Sequence, residues 1–396
     1  MRRISIFGST GSIGVNTVDL VLRQGGADTY DTVALTGSSN IGLLAEQART
    51  LRARVAVTAD PGRLSDLRAA LAGTETVAMA GPAALIDAAE MPADWVMSAI
   101  VGAAGLAPTL AAARHGTTLA LANKESLVCA GALLLATCAS HGTRLLPVDS
   151  EHSAVFQAIG AEDPRRVERI LLTASGGPFR TWSRERMRNV TPAEACAHPN
   201  WTMGQRISID SATMFNKALE LIEAHVLFGV RAEAIEVVVH PQSIVHSMVG
   251  FSDGSIIAQL GPPDMRGAIG YALNWPERAP LPVERLDFAR LARLDFEAED
   301  RERFPSLGLA RRALAAGGLS GAVLNAAKEV ALDEFLAKRI GFLDIAALVA
   351  HVLAMLEADA RSVGDSYGLD TVLDIDQRAR DEGLRFAETM TERTGG

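Results

Sequence analysis

Short apolar runs alternate with amphipathic or alanine-rich stretches of helical length over residues 1–147. Seven of these runs are predicted to be strands, and they lie at residues 4–7, 32–35, 54–57, 76–79, 95–98, 118–121 and 144–147. Apolar strands joined by helices are typical of a parallel sheet that is covered on both faces. The pattern therefore predicts an α/β fold whose N-terminal domain, residues 1–147, is a doubly wound parallel sheet.

The alternation stops at Val148, and a mixed pattern follows over residues 148–273. Its predicted elements are a strand at 167–173, a polar loop at 175–206, a helix near 211–228, a strand at 235–239, and a hairpin with arms at 244–251 and 255–260. The hairpin is predicted because the arms flank Asp253-Gly254, a dipeptide that favours tight turns. These elements predict a second, α+β domain.

The last third of the chain changes character again. Residues 274–303 are rich in Pro, Arg and Asp and are predicted to be a linker. Helical periodicity returns at 307–316, 322–338 and 343–357. Residues 304–396 are therefore predicted to form a small C-terminal helical bundle.

Composition narrows the class of protein. A chain of 396 residues is too long for one ordinary core, so two or three domains are expected. Hydrophobic residues at 48% and charged residues at 21% are globular values. The formal net charge of −9 argues against nucleic acid or an anionic membrane as a partner, because both are polyanions.

The cysteines and the N-terminus indicate the compartment. The three cysteines have the spacing of neither a zinc site nor a disulfide framework, which suggests a reducing environment. The opening residues MRRISIFG run directly into a predicted strand and turn, so no signal peptide is expected. An uncharged stretch at 95–113 is long enough to span a bilayer, but Gly102, Gly105 and Pro108 interrupt it. We expect a cytoplasmic protein.

A glycine-rich turn, Gly8-Ser9-Thr10-Gly11-Ser12-Ile13-Gly14, follows the first predicted strand and opens the first helix. Small residues at such a turn let the backbone approach a pyrophosphate, which then lies against the helix N-terminus. A tight strand-to-helix turn with no ligand is the alternative. Its place on the first strand of a βαβ unit favours a Rossmann-like, dinucleotide-binding domain.

The end of the second predicted strand indicates which dinucleotide binds. Enzymes that use NAD usually carry an Asp or Glu there, which bonds the ribose 2′-hydroxyl and repels a 2′-phosphate. This chain has Gly37-Ser38-Ser39-Asn40, without an acid. NADPH is therefore favoured, although no Arg or Lys lies at the turn.

Two carboxylates, Asp149 and Glu151, follow the last predicted strand of the first domain. In an extended segment both would project to the same side. Two close carboxylates repel each other unless a proton or a cation lies between them. A solvated loop is the alternative, yet the carboxyl ends of strands in α/β sheets are where ligands bind.

The predicted helix near 211–228 carries a third acid. Its polar stripe, at about 100° per residue, consists of Thr213, Asn216, Lys217 and Glu220. A separate apolar stripe, predicted to face the core, consists of Phe215, Leu219, Ile222 and Val226. A solvated surface would explain the polar stripe equally well.

These side chains suggest two binding functions. Asp149, Glu151 and Glu220 form an all-oxygen set that suits Mg²⁺ or Mn²⁺ rather than zinc. Hydroxyl, amide and ammonium donors fit for a phosphate monoester come from Ser175, Ser211, Asn216 and Lys217.

The loop at 175–206 is a candidate lid. The segment His198-Pro-Asn-Trp-Thr-Met-Gly204 follows the pair Gly176-Gly177 and carries Trp201 and Met203. Such a loop can close over a ligand and exclude water. A packed surface loop is the alternative.

Taken together, these motifs resemble those of the 1-deoxy-D-xylulose 5-phosphate reductoisomerase family over about residues 3–360. The motifs that carry the resemblance occur in the family's order: GSTGSIG, AIVGAAGL, LANKESLV, LLPVDSEH, ASGGPF, HPNWTMG, IDSATMFNKALE, HPQSIVHS, QLGPPDMR and LNAAKEVAL. One departure is the turn Gly37-Ser38-Ser39-Asn40, where the family often has Gly-Lys-Asn or Gly-Arg-Asn. Which residue contacts the 2′-phosphate therefore stays open.

The resemblance implies a role for individual residues. Positions lining the NADPH site are Thr10, Gly11, Ser12, Ile13, Gly37, Asn40, Asn123, Glu125 and Gly204. Metal ligands are Asp149, Glu151 and Glu220. Positions holding the phosphosugar are Lys124, Ser150, Glu151, Ser175, His198, Ser211, Asn216, Lys217 and Glu220. Trp201 and Met203 match the mobile lid.

The resemblance also implies an activity. The expected reaction is the NADPH- and metal-dependent rearrangement and reduction of 1-deoxy-D-xylulose 5-phosphate to 2-C-methyl-D-erythritol 4-phosphate, in non-mevalonate isoprenoid biosynthesis. A homodimer, with dimerisation through the second domain, is implied by the family alone. Three other functions fit parts of the pattern: a simple NADP dehydrogenase, a metal-dependent aldolase or lyase, and a non-catalytic nucleotide sensor.

Overall fold

The protein is described by a computed structural model at residues 1–201, 204–364 and 366–394, with side chains to residue 390. The chain forms two compact units. The first comprises residues 1–126, 134–153 and 264–284, and the second comprises 127–133, 154–263 and 285–396. The domain limits predicted from the sequence, including the linker at 274–303, stay predictions.

A seven-stranded sheet forms the centre of the first unit, with strand order β4-β3-β2-β1-β5-β6-β7. The strands are β1 (Arg2–Phe7), β2 (Tyr30–Gly37), β3 (Val55–Thr58), β4 (Val77–Ala80), β5 (Trp95–Ser98), β6 (Thr118–Leu121) and β7 (Arg144–Pro147). Every neighbouring pair is parallel. The predicted doubly wound parallel sheet is therefore confirmed.

Helices connect these strands, as parallel pairing requires. They are α1 (Ser12–Arg23), α2 (Ile41–Thr50), α3 (Leu64–Ala70), α4 (Pro82–Ala89), α5 (Leu106–Ala112) and α6 (Glu125–His141); α7 (Ser150–Ile159) follows β7. The central strands are buried because helices cover both faces, and β5 is fully buried along its length. A later helix, α12 (Arg266–Asn274), also belongs to this unit, and the indole of Trp95 donates to the carbonyl of Ala272 at 3.0 Å.

The second unit contains a five-stranded mixed sheet with strand order β11-β10-β8-β9-β12. Its strands are β8 (Val167–Ala174), β9 (Ile235–Val239), β10 (Val245–Phe251), β11 (Ile256–Leu260) and β12 (Glu297–Ala298). β8 and β9 are parallel, and the other neighbouring pairs are antiparallel. The predicted hairpin is β10–β11, and its turn contains Gly254 at φ +88°.

The helices of the second unit lie in the middle and at the end of the chain. They are α8 (Arg184–Met187), α9 (Pro192–Ala195), α10 (Gln205–Ala212), α11 (Phe215–Phe228), α13 (Phe288–Leu291), α14 (Ser306–Ala316), α15 (Ser320–Leu336), α16 (Asp344–Ser362) and α17 (Leu369–Thr394). α15 is buried along most of its length and packs against α14, α16 and α17. The predicted C-terminal helical bundle is thus present.

The prediction of one continuous helix near 211–228 was wrong, because two helices, α10 and α11, share this region. The break lies at Thr213 and Met214, and Met214 has a left-handed backbone at φ +62°. Neither Gly nor Pro marks this position, so the sequence carries no ordinary signal for a helix end. Thr213 therefore does not belong to the polar stripe of α11.

Among the helices of the described residues, none combines the length with the apolar character that crossing a membrane requires. The uncharged stretch at 95–113 forms β5, a turn and α5. The expected buried strand, turn and helix are present there.

Two helical glycines give a matched test of packing in the second unit. A Cβ at Gly321 in α15 would collide with the backbone carbonyl of Val128, whereas a Cβ at Gly308 in α14 meets nothing within 4 Å. We expect Gly321→Ala to destabilise the fold by about 1–3 kcal/mol through overpacking. Gly308→Ala should stabilise it by about 0.5–1 kcal/mol through helix propensity. Urea unfolding followed by circular dichroism measures both, and equal shifts for the two variants would contradict the packing argument.

Candidate active site

The turn between β1 and α1 is built for close approach of a ligand to the backbone. Gly8 has φ +84°, and a Cβ there would lie 2.5 Å from the carbonyl oxygen of Ala99. A Cβ at Gly14 would collide with the backbone of Gly8 and Ser9. Only glycine fits these two positions, and Gly11 between them is exposed. The turn therefore fits the pyrophosphate of a dinucleotide.

The predicted NADPH residues of the first unit follow the carboxyl ends of neighbouring parallel strands. Thr10, Gly11, Ser12 and Ile13 follow β1, while Gly37 ends β2. A Cβ at Gly37 would come within 3.0 Å of the Thr10 hydroxyl oxygen, so these two turns touch. Asn40 caps α2, because its side-chain oxygen accepts from the backbone N–H of Leu43 at 3.2 Å.

Asn123 lies in the turn between β6 and α6, Glu125 is the first residue of α6, and both are buried. The Asn123 side-chain amide donates to the carbonyls of Ile100 and Gly102 and to the Glu125 carboxylate, at 2.6, 3.0 and 2.9 Å. These bonds tie the turn after β6 to the turn after β5. The structure thus brings the predicted cofactor residues of the first unit to one edge of the sheet.

Asp149 lies between β7 and α7, and the side chains of Lys124 and His152 contact its carboxylate. The Lys124 ammonium lies 3.0 Å from one carboxylate oxygen of Asp149, and both side chains are 13% exposed. The Nδ1 atom of His152 lies 3.1 Å from the other oxygen. His152 is buried, and its role as a partner of Asp149 was missed from the sequence; the signal was its position three residues later, one helical turn away.

The extended geometry expected for Asp149 and Glu151 was wrong. α7 begins at Ser150, and the Asp149 carboxylate accepts from the backbone N–H of Glu151 at 3.1 Å, so Asp149 caps the helix. A carboxylate oxygen from each of the two residues still lies within 4.8 Å of the other. The Ser150 hydroxyl donates to Glu151 at 2.8 Å. Carboxylate pairs at such a separation suit a hard divalent cation.

In the second unit, the charged residues of the polar stripe of α11 are buried rather than solvated. Glu220 is 0% exposed and Lys217 is 4% exposed. The two oxygens of the Glu220 carboxylate accept from different donors, the amide of Asn216 and the ammonium of Lys217. Burying a carboxylate is costly unless it is paired and hydrogen-bonded. The solvated-surface alternative is therefore wrong for these residues.

Ser175 and His198 form a second polar contact in this unit. The Ser175 hydroxyl oxygen lies 2.9 Å from Nε2 of His198, and the backbone N–H of Gly177 donates to it at 3.2 Å. Gly177 has φ +66°, and a Cβ there would lie 2.9 Å from the carbonyl oxygen of Ser211. The turn after β8 thus packs directly against the end of α10, which carries Ser211.

The loop segment that follows His198 folds around its imidazole ring. Nδ1 of His198 accepts the backbone N–H groups of Asn200 and Trp201 at 3.1 and 2.9 Å. The Asn200 amide donates to the carbonyl of Pro241, and the Trp201 indole packs edge-on against His246. Asn200 was not singled out from the sequence.

Two predicted residues complete the loop. Gly204 directly precedes α10. Met203, predicted to belong to the lid, lies outside the described residues.

The hydrogen bonds of His198 determine which ring nitrogen carries the proton. Because Nδ1 accepts two N–H groups, the neutral ring carries its proton on Nε2 and donates it to Ser175. Burial lowers the pKa of the His198 imidazole. We predict that ¹⁵N NMR of histidine-labelled protein shows the Nε2–H tautomer for His198, with a titration midpoint below about 6.5.

The same shift predicts how stability depends on pH. The unfolded chain takes up the proton first, so stability falls as pH drops below about 6.5 and levels off below the folded pKa. Parent protein should therefore lose more stability between pH 7 and 5 than His198→Asn. An Nδ1–H tautomer, or identical pH profiles of the two proteins, would contradict the assignment.

Three family models match the chain. The model described as 1-deoxy-D-xylulose 5-phosphate reductoisomerase matches residues 4–131. The model described as the 1-deoxy-D-xylulose 5-phosphate reductoisomerase C-terminal domain matches residues 145–228. The model described as the DXP reductoisomerase C-terminal domain matches residues 260–382.

Relatives and solved structures agree with these matches. The chain is 62% identical over 395 residues to the 1-deoxy-D-xylulose 5-phosphate reductoisomerase of Ruegeria pomeroyi, covering 100% of this chain and 99% of the relative. The same enzyme of Cereibacter sphaeroides is 61% identical over 380 residues, covering 96% of each.

Among solved structures, the reductoisomerase of Zymomonas mobilis in complex with NADPH has a TM-score of 0.91 at 50% identity, over 98% of this chain and 99% of that one. A DOX-P reductoisomerase in complex with NADPH, fosmidomycin and magnesium has a TM-score of 0.94 at 41% identity, over 98% of each chain. Similarity of this extent, in sequence and in fold, identifies the chain as a member of the 1-deoxy-D-xylulose 5-phosphate reductoisomerase family.

Proposed function

We propose that this chain converts 1-deoxy-D-xylulose 5-phosphate to 2-C-methyl-D-erythritol 4-phosphate in isoprenoid biosynthesis, with Asp149, Glu151 and Glu220 as ligands of the metal. The chain is an NADPH- and divalent-metal-dependent oxidoreductase of the reductoisomerase family. The observation that carries the residue assignment is the buried group on α11, in which Glu220 is fully buried with Lys217 and Asn216 as its donors.

The turn after β1 supports NADPH as the cofactor. The glycine positions leave no room for a Cβ, so the backbone N–H groups at the start of α1 are open to a phosphate. The turn after β2 carries Ser38 and Ser39, which are exposed and uncharged. Because no acid lies there to repel a 2′-phosphate, the turn is compatible with NADPH.

The donor chemistry supports Mg²⁺ or Mn²⁺ as the metal. All three proposed ligands are carboxylates, which these hard cations prefer. Lys124 and His152 hold the Asp149 carboxylate from its two sides, so this ligand is oriented before any ion binds. Lys217 neutralises Glu220 in the protein alone; a bound cation would share that task and leave the ammonium able to donate to the substrate.

When bound, the metal supplies a Lewis acid for the ketone and hydroxyl oxygens of the substrate, and NADPH supplies the hydride for the reduction. The residues of the chain itself position the substrate. In this proposal Ser175, Ser211, Asn216 and Lys217 bind the phosphate, assisted by His198, which orients the Ser175 hydroxyl. Holding the phosphate keeps the carbon fragments in place for recombination and supplies remote binding energy.

The remaining assignments concern the edge of the site and the lid. Lys124 and Ser150 are proposed to hold the sugar beside Asp149 and Glu151, to which they are bonded. Trp201 is proposed to cover the bound substrate as part of the lid, together with Met203, while Gly204 is proposed to contact NADPH.

Other functions would behave differently in a single assay. A simple NADP dehydrogenase would stay active with EDTA, and an aldolase or lyase would turn over without NADPH. We expect oxidation of NADPH only when the phosphosugar and Mg²⁺ or Mn²⁺ are both present. The loss of absorbance of the reduced nicotinamide measures this oxidation. Activity that persists after chelation would contradict the metal-dependent reaction.

The metal assignment is tested by Glu220→Gln, which keeps the shape of the side chain but removes its charge. We expect turnover to fall about 10²- to 10³-fold, while NADPH binding measured by fluorescence stays unchanged. Glu236→Gln is the matched control, because Glu236 lies half-exposed on β9, where it pairs with Arg169. Full turnover by Glu220→Gln would remove Glu220 from the proposed metal site.

We also propose a homodimer, which β11 supports. This strand forms one edge of the mixed sheet, and Ile256 and Ile257 are 49% and 43% exposed. An exposed apolar edge strand readily pairs with another chain, and a second copy can pair with it symmetrically. A cytoplasmic location belongs to the same proposal, supported by the three cysteines, which are thiols rather than disulfide partners among the described residues.

The dimer proposal predicts that Ile257→Lys produces a monomer, because a charge on the edge strand opposes pairing. Light scattering coupled to size-exclusion chromatography measures the mass. Val77→Lys is the control, since Val77 is 56% exposed on an edge strand of the other sheet. A parent protein that already elutes as a monomer would overturn the proposal.

A further inference from the structure

We infer that Lys328 and Ser306, on the C-terminal helices α15 and α14, are positioning residues for the phosphate pocket of the substrate. The two residues act by fixing the junction between α10 and α11, at Thr213 and Met214. This inference rests on the proposed function, because it takes Ser211, Asn216 and Lys217 as the residues that bind the phosphate.

The first observation is a buried ion pair. The ammonium of Lys328 lies 3.0 Å from a carboxylate oxygen of Asp210, and these side chains are only 4% and 9% exposed. Asp210 directly precedes Ser211 on the last turn of α10. Removing one partner of a buried pair leaves the other charge uncompensated, so α10 is fixed to α15 at this point.

The second observation is the strained junction itself. Met214 has φ +62°, a conformation that costs free energy in a residue with a Cβ, and it is 4% exposed. Strain of this kind persists only when the surrounding structure determines it. The hydroxyl of Ser306, which is fully buried, donates to the carbonyl of the preceding residue, Thr213, at 2.8 Å.

The junction determines how the two halves of the proposed pocket face each other. Ser211 lies on α10, before the break, whereas Asn216 and Lys217 lie in the first turn of α11, after it. Gly177 packs against the carbonyl of Ser211, so the turn that follows Ser175 contacts the end of α10 next to this junction. A rotation at Thr213 and Met214 would change the position of the Ser211 hydroxyl relative to the Lys217 ammonium, because the two residues lie on opposite sides of the break.

A second ion pair joins α10 to α15 and serves as a comparison. Arg206, one turn earlier, pairs with Asp333 on the same helix α15, but these side chains are about half exposed. Exposed pairs contribute little to stability and geometry. The buried pair is the one that lies next to Ser211, which is why we assign the positioning role to Lys328.

The test compares KM values in steady-state kinetics at saturating Mg²⁺. Lys328→Met should raise KM for the phosphosugar on the order of tenfold, because small displacements of positioning groups are costly, and should leave KM for NADPH within about twofold. Ser306→Ala removes a single neutral hydrogen bond and should change KM in the same direction, by roughly threefold. A purely structural role would lower the folded fraction, and thus the apparent kcat, without changing either KM.

Two further variants make the outcome unambiguous. Arg312→Met is the matched control, since it replaces a half-exposed cation on α14 whose partner, Glu357, is remote in sequence from the pocket; it should change neither KM beyond about twofold. Lys217→Ala tests the pocket itself and should raise KM for the phosphosugar.

The results separate the two levels of the proposal. If Lys217→Ala raises KM while Lys328→Met and Ser306→Ala do not, the inference is overturned and the pocket stands. If Lys217→Ala also leaves KM unchanged, the proposed pocket fails, and the inference fails with it. Should Lys328→Met not fold by circular dichroism, Ser306→Ala decides by the same comparison.

Discussion

The carboxyl ends of parallel strands lie at one edge of a sheet, and the arrangement of the proposed site residues of the first unit depends on this constraint. The glycine turn follows β1, Gly37 ends β2, Asn123 follows β6 and Asp149 follows β7. No long-range signal in the sequence is needed to bring these residues together, because each lies at the same end of its strand. The order of the strands places the glycine turn near the middle of that edge, because β1 is the central strand. From β1 the chain first adds strands on one side of the sheet, up to β4, and then on the other side, from β5 to β7.

The second unit is subject to a different constraint, because several of its charged side chains are buried. Glu220, Lys217, Asp210 and Lys328 are each less than a tenth exposed. Every one of these groups is paired with an opposite charge within the unit, as the cost of an uncompensated buried ion requires. Such pairs add little net stability compared with apolar side chains of equal volume. Their value lies in geometry, because a paired buried group has few alternative positions.

The sequence predicted the elements whose signals are local. Continuous apolar runs gave the seven strands, Asp253-Gly254 gave the hairpin, and the motifs gave the family. It did not predict the break at Met214, because no Gly or Pro marks that residue. The preceding residue, Thr213, accepts a hydrogen bond from Ser306, which is distant in the sequence. It also misjudged Asp149, whose carboxylate caps α7 instead of lying in an extended strand. A polar stripe on a helix cannot reveal by itself whether it is buried, which only the packing around Glu220 decides.

Contacts between residues distant in sequence also explain how the C-terminal helices contribute to the proposed chemistry. A reaction that breaks and re-forms a carbon–carbon bond needs its fragments held in one geometry, and rigid elements hold groups more accurately than loops do. Ser211, Asn216 and Lys217 all lie on helices, but the short connection between α10 and α11 would leave their relative direction adjustable if nothing else touched it. Contacts from α14 and α15 remove that freedom through a neutral hydrogen bond and a buried ion pair. In our proposal, helices that carry none of the ligands thereby determine the geometry of the phosphate pocket.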